Sequence, residues 1–373
     1  MTLEVIPLGH ARTERKRFID VAFALYREDR VWVPPLRLDL MAQLDPRKNP
    51  FFAHAEVRHW VATRDGRDVG RIAGIVNRLH QEVHNERAAH FGFFEAADEA
   101  TAAALLGAAE GFARELGCDR ILGPASYSSN DPFGLLVEGF DQRPVVMMPY
   151  NPPAYAAWID AAGYEKAKDL VALYGYQPDA HVPRIRRIAE RIQRRGGYRL
   201  RELDLRRFRD EVRLVQDLYN RAWEKNWGFV PLTPAELDKL ARDLRPVIDP
   251  RLVLFAETAD GTPVGFCLLL RDLNRVFAKL RDGRLFPFGL FRLLHARRRL
   301  DSGRLITLGV TPEHRGTGLD ALLVHGITKK GSETNLIHCE CGWILEDNRA
   351  MIAPIEAIGG RVTKRYRVYE KAL

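Results

Sequence analysis

The run RGTG at 315–318 contains the residues that most clearly allow chemistry in the 373-residue sequence, and it predicts a turn. An apolar run at 304–310 precedes this turn, and an amphipathic run that begins at Leu319 follows it. Glycines at alternate positions remove the side chains that would hold a ligand away from the backbone, so consecutive N–H groups can point at an anion from a helix N-terminus. The pattern predicts a strand, an anion-binding turn and a helix, and a pyrophosphate suits such a turn.

A dinucleotide site is the alternative for the same turn, because Gly316, Gly318 and Ala321 fit the spacing G-x-G-x-x-G/A. In dinucleotide-binding proteins these glycines follow their strand directly, whereas Thr311–Arg315 intervene here. The sequence at the turn also lacks the Gly-Lys-Ser/Thr of a P-loop. Both differences argue against nicotinamide and nucleoside-triphosphate enzymes.

The elements that must position this turn belong to an internal repeat. VATRDGRDVG at 61–70 and FAETADGTPVG at 255–265 both place Asp-Gly between apolar runs, which predicts two β-hairpins. Each hairpin is followed by a strand, a long helix and a strand, and then by a closing helix, 154–164 or 350–360, with a final strand after it. The repeat predicts two α/β domains, 1–178 and 199–373, joined by an Arg-rich helical connector at 179–198.

Composition and charge narrow the classes of partner. Hydrophobic residues make up 46% and charged residues 28%, as in folded globular proteins, and four scattered cysteines do not form a disulfide framework. Neither a signal peptide nor a membrane-spanning segment is recognisable, so the sequence predicts a cytoplasmic protein. The net charge of +8 is concentrated at 184–201, with eight arginines and one glutamate, and at 273–300, with seven arginines, one lysine and one aspartate. These clusters favour anionic partners.

The stretch 310–319 resembles the acyl-CoA-binding motif of the GNAT N-acetyltransferase superfamily, V-x-P-x-x-R-G-x-G-[IL]. A second GNAT signature, an Asn followed eleven residues later by Gly, is met by Asn348 and Gly359. The resemblance implies an α/β fold of two tandem GNAT-like domains, each a mixed, mostly antiparallel sheet flanked by helices. Since nothing like RGTG follows the strand at 90–95, it implies one cofactor site, in the second domain, with the first domain as a wall of the substrate site.

What the resemblance implies chemically is acyl transfer from acyl-CoA to an amine, without a metal. Replacement of Gly316 or Gly318 by Val is expected to abolish CoA binding with the fold intact. Glu313 and Asp320 depart from the usual motif residues, and Ile355 stands where many members have a tyrosine that protonates the leaving thiolate. The implied cofactor-binding residues are Leu308, Gly309, Val310, Arg315, Gly316, Thr317, Gly318, Leu319 and Asn348.

An amine nucleophile must lose a proton, and a carboxylate in a partly apolar pocket is the usual base. Glu340 and Glu346 flank the run CGWIL and are six residues apart, so in an uninterrupted strand they would point to one face. Glu340 is the first candidate for the catalytic base and Glu346 the second. Structural ion pairing is the alternative for each.

Polar residues in otherwise apolar surroundings are the candidates for binding the acceptor. They either bind its hydroxyl and amine groups or cap turns, and the sequence leaves both alternatives open. These residues of the first repeat are Tyr127, Asn130, Asp131, Tyr150 and Asn151. Trp343, close to Glu340 in the second repeat, is a further candidate for substrate binding.

Runs such as SSNDPFGLLVEGFD and MMPYNPP resemble those of a bacterial GNAT subgroup with duplicated domains that includes the bacterial ceramide synthases. The resemblance implies N-acylation of a long-chain sphingoid base by long-chain acyl-CoA. A segment at 273–303, amphipathic and absent from the first repeat, fits peripheral contact with an anionic membrane through 273–300. The alternatives are an N-acetyltransferase for a small-molecule or protein amine, and a non-catalytic lipid- or nucleic-acid-binding protein. Nucleic acid is disfavoured because 184–201 lacks interleaved aromatic residues.

Overall fold

The computed structural model describes residues 2–177, 183–224, 226–287, 289–296 and 299–373. Two compact α/β units are distinguished. Unit 1 contains the chain up to Leu170 together with Val276–Phe291 and Lys364–Leu373, and unit 2 contains Val171–Arg275 and Arg292–Thr363.

Helices and strands are interspersed along the described chain. The first part of the chain forms β1 Leu3–Leu8, α1 Arg12–Leu25, α2 Arg37–Gln43, β2 Ala55–Arg64, β3 Arg67–Asn77, α3 Arg78–His84, β4 Ala88–Ala96, α4 Glu99–Glu115, β5 Arg120–Gly123, β6 Leu135–Glu138, α5 Ala154–Ala161 and β7 Glu165–Tyr176. The remainder forms α6 Pro183–Arg195, β8 Tyr198–Glu202, α7 Phe208–Trp223, α8 Pro234–Leu244, β9 Val253–Thr258, β10 Pro263–Arg271, α9 Asn274–Phe277, α10 Gly289–Ala296, β11 Ser302–Val310, α11 Leu319–Glu333, β12 His338–Leu345, α12 Arg349–Ala357 and β13 Arg361–Ala372.

Each unit has a mixed, mostly antiparallel sheet. In unit 1 the strand order is β1-β2-β3-β4-β5-β13, and β6 also pairs with β13. In unit 2 the order is β8-β9-β10-β11-β12-β7. The pairs β4–β5 and β11–β12 are parallel, as expected where a helix, α4 or α11, connects the two strands.

The sequence predicts two domains that are each continuous in the chain. In the structure, each compact unit is instead made of separate segments of the chain. Residues 364–373 belong to unit 1 because β13 continues its sheet beside β5, with Tyr369 opposite Gly123. Residues 171–176 of β7 belong to unit 2, next to β12. Local sequence patterns predict the strands but not these long-range pairings.

Both predicted hairpins are confirmed. In the first, Asp65 and Gly66 have φ of +51° and +76° between β2 and β3, as a two-residue turn requires. In the second, β9 and β10 are joined by residues 259–262, with Gly261 at φ +89°. The same Asp-Gly pair thus serves a tight turn in one unit and a longer turn in the other.

Helices cover both faces of each sheet. In unit 1, Leu105 of α4 packs with Ile72 on one face, and Phe18 of α1 packs with Ile75 on the other. In unit 2, Leu322 of α11 and Leu218 of α7 lie in separate clusters. These apolar clusters hold β11 between two helical layers, which fixes the strand that leads to the predicted turn.

The Arg-rich connector and the inserted segment are partly described. Residues 178–182 of the connector lie outside the described residues, and α6 follows them. The insertion forms α9 and α10, and Phe288 and Arg297–Arg298 within it lie outside the described residues. No helix in the described ranges has both the length and the apolar character needed to cross a membrane.

Candidate active site

A cleft opens where the parallel strands β11 and β12 part. Their register runs from Ser302 opposite His338 to Leu305 opposite Cys341 and ends there in the described structure. The pairing of β11 with β10 shifts by one residue after Leu305 and then continues to Val310. A bulge of this kind bends a strand. The bend separates the second half of β11 from β12 and leaves a cavity of about 70 Å³.

Residues from four elements, α7, β11, β12 and α12 with its N-cap, line this cleft. The predicted residues Leu308, Trp343 and Asn348 are among them. Asn348 has a second role, because its side chain accepts a hydrogen bond from the N–H of Met351 and caps α12. Sequence reasoning missed Trp223, at the end of α7, and Thr307, whose Oγ1 is buried without a hydrogen-bond partner in the described part of the chain.

The RGTG turn leads from β11 to the start of α11. Gly316 and Gly318 have φ of +74° and +86°, a region that favours glycine, and Gly318 is the N-cap of α11. Within the described residues we find no hydrogen-bond acceptor for the N–H groups of Gly316, Thr317 and Gly318. The first helical residue is Leu319, as predicted from the sequence. The turn therefore presents open N–H groups at a helix N-terminus, which attract anions.

The two glycines of the turn have different surroundings. A Cβ built on Gly316 meets nothing within 4 Å, and the residue is exposed. A Cβ on Gly318 would lie 2.9 Å from Cδ1 of Ile192 and 3.1 Å from Cγ2 of Ile188, both on α6. The start of α11 is therefore open on the Gly316 side and packed against the connector helix at Gly318.

The side chain of Arg315 fastens the turn to its neighbours. Its Nη2 donates to the carbonyl of Ala222 at 2.7 Å, and its Nε donates to the carbonyl of Val310 at 3.3 Å. Gly309 lies close to the ring of Trp223, since an added Cβ would be 2.3 Å from that ring. Arg315 and Gly309 thus connect the turn and β11 to α7.

Unit 1 is closed at the corresponding positions. The N-cap of α4 is Asp98, whose carboxylate accepts hydrogen bonds from the N–H and the hydroxyl of Thr101 and pairs with Arg64. Arg64 holds the pKa of Asp98 well below its usual range. The N–H of Ala125, which follows β5, donates a hydrogen bond to the carbonyl of Phe91 on β4 at 2.7 Å. This bond closes the space between the two segments at that point. At the start of α4 in unit 1, the carboxylate of Asp98 therefore already occupies the position where an anion would bind.

The two candidate bases lie in different surroundings. Glu340 is 4% exposed and lies opposite Arg304 in the register of β11 and β12. Glu346 is half-buried and follows Leu345, the last residue of β12, so it lies outside the strand and the alternation expected for an uninterrupted strand does not apply to it. Neither is among the described residues that line the cleft. Their catalytic roles stay predictions.

The polar candidates of unit 1 make internal contacts. Tyr127 is 1% exposed, and the side chain of Asn151 bonds both the N–H and the carbonyl of Leu136. The hydroxyl of Tyr150 donates to Asp29 at 2.8 Å. The hydroxyl of Ser128 donates to the carboxylate of Asp131 at 3.2 Å and accepts from the backbone N–H of Asn130 at 3.1 Å, within one turn. These contacts support the alternative in which the polar residues cap turns and fill the core, and a role in substrate binding stays a prediction.

Comparison with known proteins assigns the family. A family model described as an acetyltransferase (GNAT) domain matches residues 181–279. A tandem GNAT protein from the clavulanic acid biosynthesis pathway has a similar fold, with a TM-score of 0.58 and 17% identity over 100% of this chain and 98% of that one. A GNAT protein from Sphaerobacter thermophilus has a TM-score of 0.52 and 13% identity over 99% and 95% of the two chains. The chain belongs to the GNAT family and is an N-acyltransferase, for which acyl-CoA is the family's cosubstrate.

Two curated relatives match along nearly the whole chain. The bacterial ceramide synthase of Caulobacter vibrioides (strain NA1000 / CB15N) is 39% identical over 100% of this chain and 98% of its own. Protein YghO of Escherichia coli (strain K12) is 34% identical over 97% of this chain and 94% of its own.

Proposed function

We propose that this protein transfers a long-chain acyl group from acyl-CoA to the amine of a sphingoid base and so forms a ceramide-type amide. The proposal that a sphingoid base is the acceptor rests on the 39% identity, over the full chain, to the bacterial ceramide synthase of Caulobacter vibrioides. The open turn at 315–318 and the cleft beside β11 supply a place for the thioester donor in unit 2.

The turn and the cleft bind different parts of the acyl-CoA donor. The N–H groups between Arg315 and Leu319 hold the pyrophosphate, because those of Gly316, Thr317 and Gly318 have no acceptor among the described residues at the start of α11. The N–H of Arg315 itself donates to the carbonyl of Pro312 at 3.3 Å. The edge of β11 that faces the cleft offers its backbone groups to the pantetheine arm. The hydroxyl of Thr307 is buried there and donates a hydrogen bond to the thioester carbonyl, which stabilises the developing oxyanion.

A carboxylate removes the proton of the attacking amine. Glu340 remains the first candidate because it is buried on β12, close to the point where the strands part. Glu346 is the second candidate because it lies two residues before Asn348, which lines the cleft. We expect Glu340→Gln to lower kcat with little change in the affinity for acyl-CoA. If only Glu346→Gln does so, the order of the two candidates is reversed.

Contact with a membrane would give access to both lipid substrates. Phe286 is 62% exposed, Phe291 72% and Leu294 46%, and Arg284 and Arg292 beside them are also exposed. Exposed aromatic residues flanked by arginines bind anionic bilayers. We expect the double variant Phe286→Ser, Phe291→Ser to lose sedimentation with phosphatidylglycerol vesicles.

The matched control for vesicle binding is Val83→Ser, because Val83 is 44% exposed and lies on α3, outside the insertion. Equal loss of binding in the control would contradict a specific role of 273–300. Binding of the wild-type protein that is the same with neutral vesicles would contradict the role of the arginines.

Incubation with sphinganine and a panel of acyl-CoAs, followed by mass spectrometry of the amide product, tests the proposed function. We expect long-chain N-acylsphinganine as the product, and Gly316→Ala to reduce its formation. Acetylation of small amines or proteins with no long-chain product would instead identify an N-acetyltransferase.

A further inference from the structure

A second cavity of unit 2 lies between α11 and α12 and is lined mainly by apolar side chains. Its volume is about 100 Å³. From α11 it is lined by Val324 and Ile327, which are three residues apart and share one face of the helix. Ile358, which follows α12, and Cys339 of β12 also line it. No carboxylate, lysine or arginine is among the described residues that line this cavity, so it suits a hydrocarbon.

This cavity adjoins the cleft between β11 and β12. Leu305, Cys341 and Ile355 line both. Leu305 and Cys341 are also the last residues that face each other before the two strands part. A group held in the cleft therefore has a short, apolar route from the point of divergence into the space between the helices.

We infer that this cavity binds the first methylene groups of the acyl chain, a role that rests on the proposed function. A chain bonded to a carbonyl in the cleft continues past Leu305 and Cys341 into the cavity. At roughly 30 Å³ for each water-sized group, a volume of about 100 Å³ holds about three methylenes. The cavity should therefore bind longer acyl-CoAs more tightly than acetyl-CoA, which has no methylene group to place there.

The affinity of a series of acyl-CoAs measures this contribution. Each buried methylene strengthens binding about fourfold, so the dissociation constant should fall about 60-fold from acetyl-CoA to pentanoyl-CoA. Val324→Phe adds a ring to the cavity, so the dissociation constant of this variant should hardly change with the length of the acyl chain. The matched control is Val83→Phe, because Val83 is 44% exposed in unit 1, and this variant should keep the wild-type series.

The thiols of the cavity give a readout that needs no variant. Cys339 and Cys341 line the cavity with their sulfur atoms 4.0 Å apart. Cys341 also lines the cleft, so the discriminating thiol is Cys339, which lines the cavity and is not among the described residues of the cleft. Pentanoyl-CoA should protect Cys339 from alkylation by iodoacetamide, and CoA alone should not. Cys118 and Cys267 are buried elsewhere and serve as internal controls in the peptide map.

The outcomes distinguish this inference from the proposed function. If acyl-CoAs bind, their affinities depend on chain length in Val324→Phe as in the wild type, and pentanoyl-CoA does not protect Cys339, the inference is overturned and the proposed function stands. Failure of every acyl-CoA to bind the wild-type protein would reject the proposed function itself. If Val324→Phe changes the dependence on the chain length of the sphingoid base at constant acyl-CoA, the cavity holds the acceptor chain and the inference is wrong.

Discussion

Replacement of Gly316 by alanine separates ligand binding from folding. The backbone at Gly316 has φ +74°, so an alanine there costs about 1–2 kcal/mol of stability. Nothing lies within 4 Å of the added Cβ, so no clash adds to this cost. The methyl group does occupy the open space in front of the turn, where a pyrophosphate would approach the N–H groups.

The loss of affinity follows from the hydrogen bonds that the methyl group blocks. A hydrogen bond to a charged group contributes about 1.5–3 kcal/mol, so the loss of one weakens CoA binding about 10- to 100-fold. Isothermal titration with CoA measures this change, and thermal unfolding measures the stability of the same samples. A shift of the melting temperature by about 2–8 °C is expected from the backbone cost alone.

Gly66→Ala is the matched control. Gly66 has φ +76° and, like Gly316, nothing within 4 Å of an added Cβ, but it lies in the first hairpin of unit 1. Both variants should therefore lose similar stability, and only Gly316→Ala should lose affinity for CoA. The proposed anion site would be refuted if Gly316→Ala bound CoA within twofold of the wild type, or if both variants lost affinity equally.

Three further predictions concern charges. Glu313→Gln removes a negative charge beside the turn and should tighten CoA binding about two- to fivefold in titrations. Asp98→Ala removes the cap of α4 and should lower the free energy of unfolding by about 1–2 kcal/mol in urea, with unchanged CoA affinity, because α4 belongs to unit 1. Burial lowers the pKa of His59 to about 3, so the unfolded state takes up its proton near pH 6.5 and the folded state does not. Stability should therefore fall as the pH drops below about 6.5, by about 2 kcal/mol from this group at pH 5, and His59→Gln should reduce the difference between urea unfolding at pH 7 and pH 5 by that amount.

The sequence predicts those parts of the fold and site that depend on neighbouring residues. The Asp-Gly pair at 65–66 forms its hairpin because positive φ at both positions is a local requirement. The start of α11 at Leu319 follows from the glycines before it. The repeat itself was visible because each copy carries these local signals in the same order.

Features that depend on distant contacts were not predictable in this way. Gly316 and Gly318 are equivalent in the sequence, and only the packing of Ile188 and Ile192 shows that a side chain at Gly318 would disturb α6. We therefore expect valine at Gly318, unlike valine at Gly316, to displace Ile188 and Ile192 of α6. Thr307 faces the cleft after a bulge in β11, and no local pattern marks that bulge.

The position of β13 bears on how the protein can form during translation. The last strand of the chain completes the sheet of unit 1 beside β5, whose sequence was made about 240 residues earlier. Until Lys364–Leu373 leave the ribosome, β5 keeps an unpaired edge, which in nascent chains invites aggregation. A ribosome that stops before these codons would therefore release an amino-terminal half that is synthesised in full but unable to finish its own sheet.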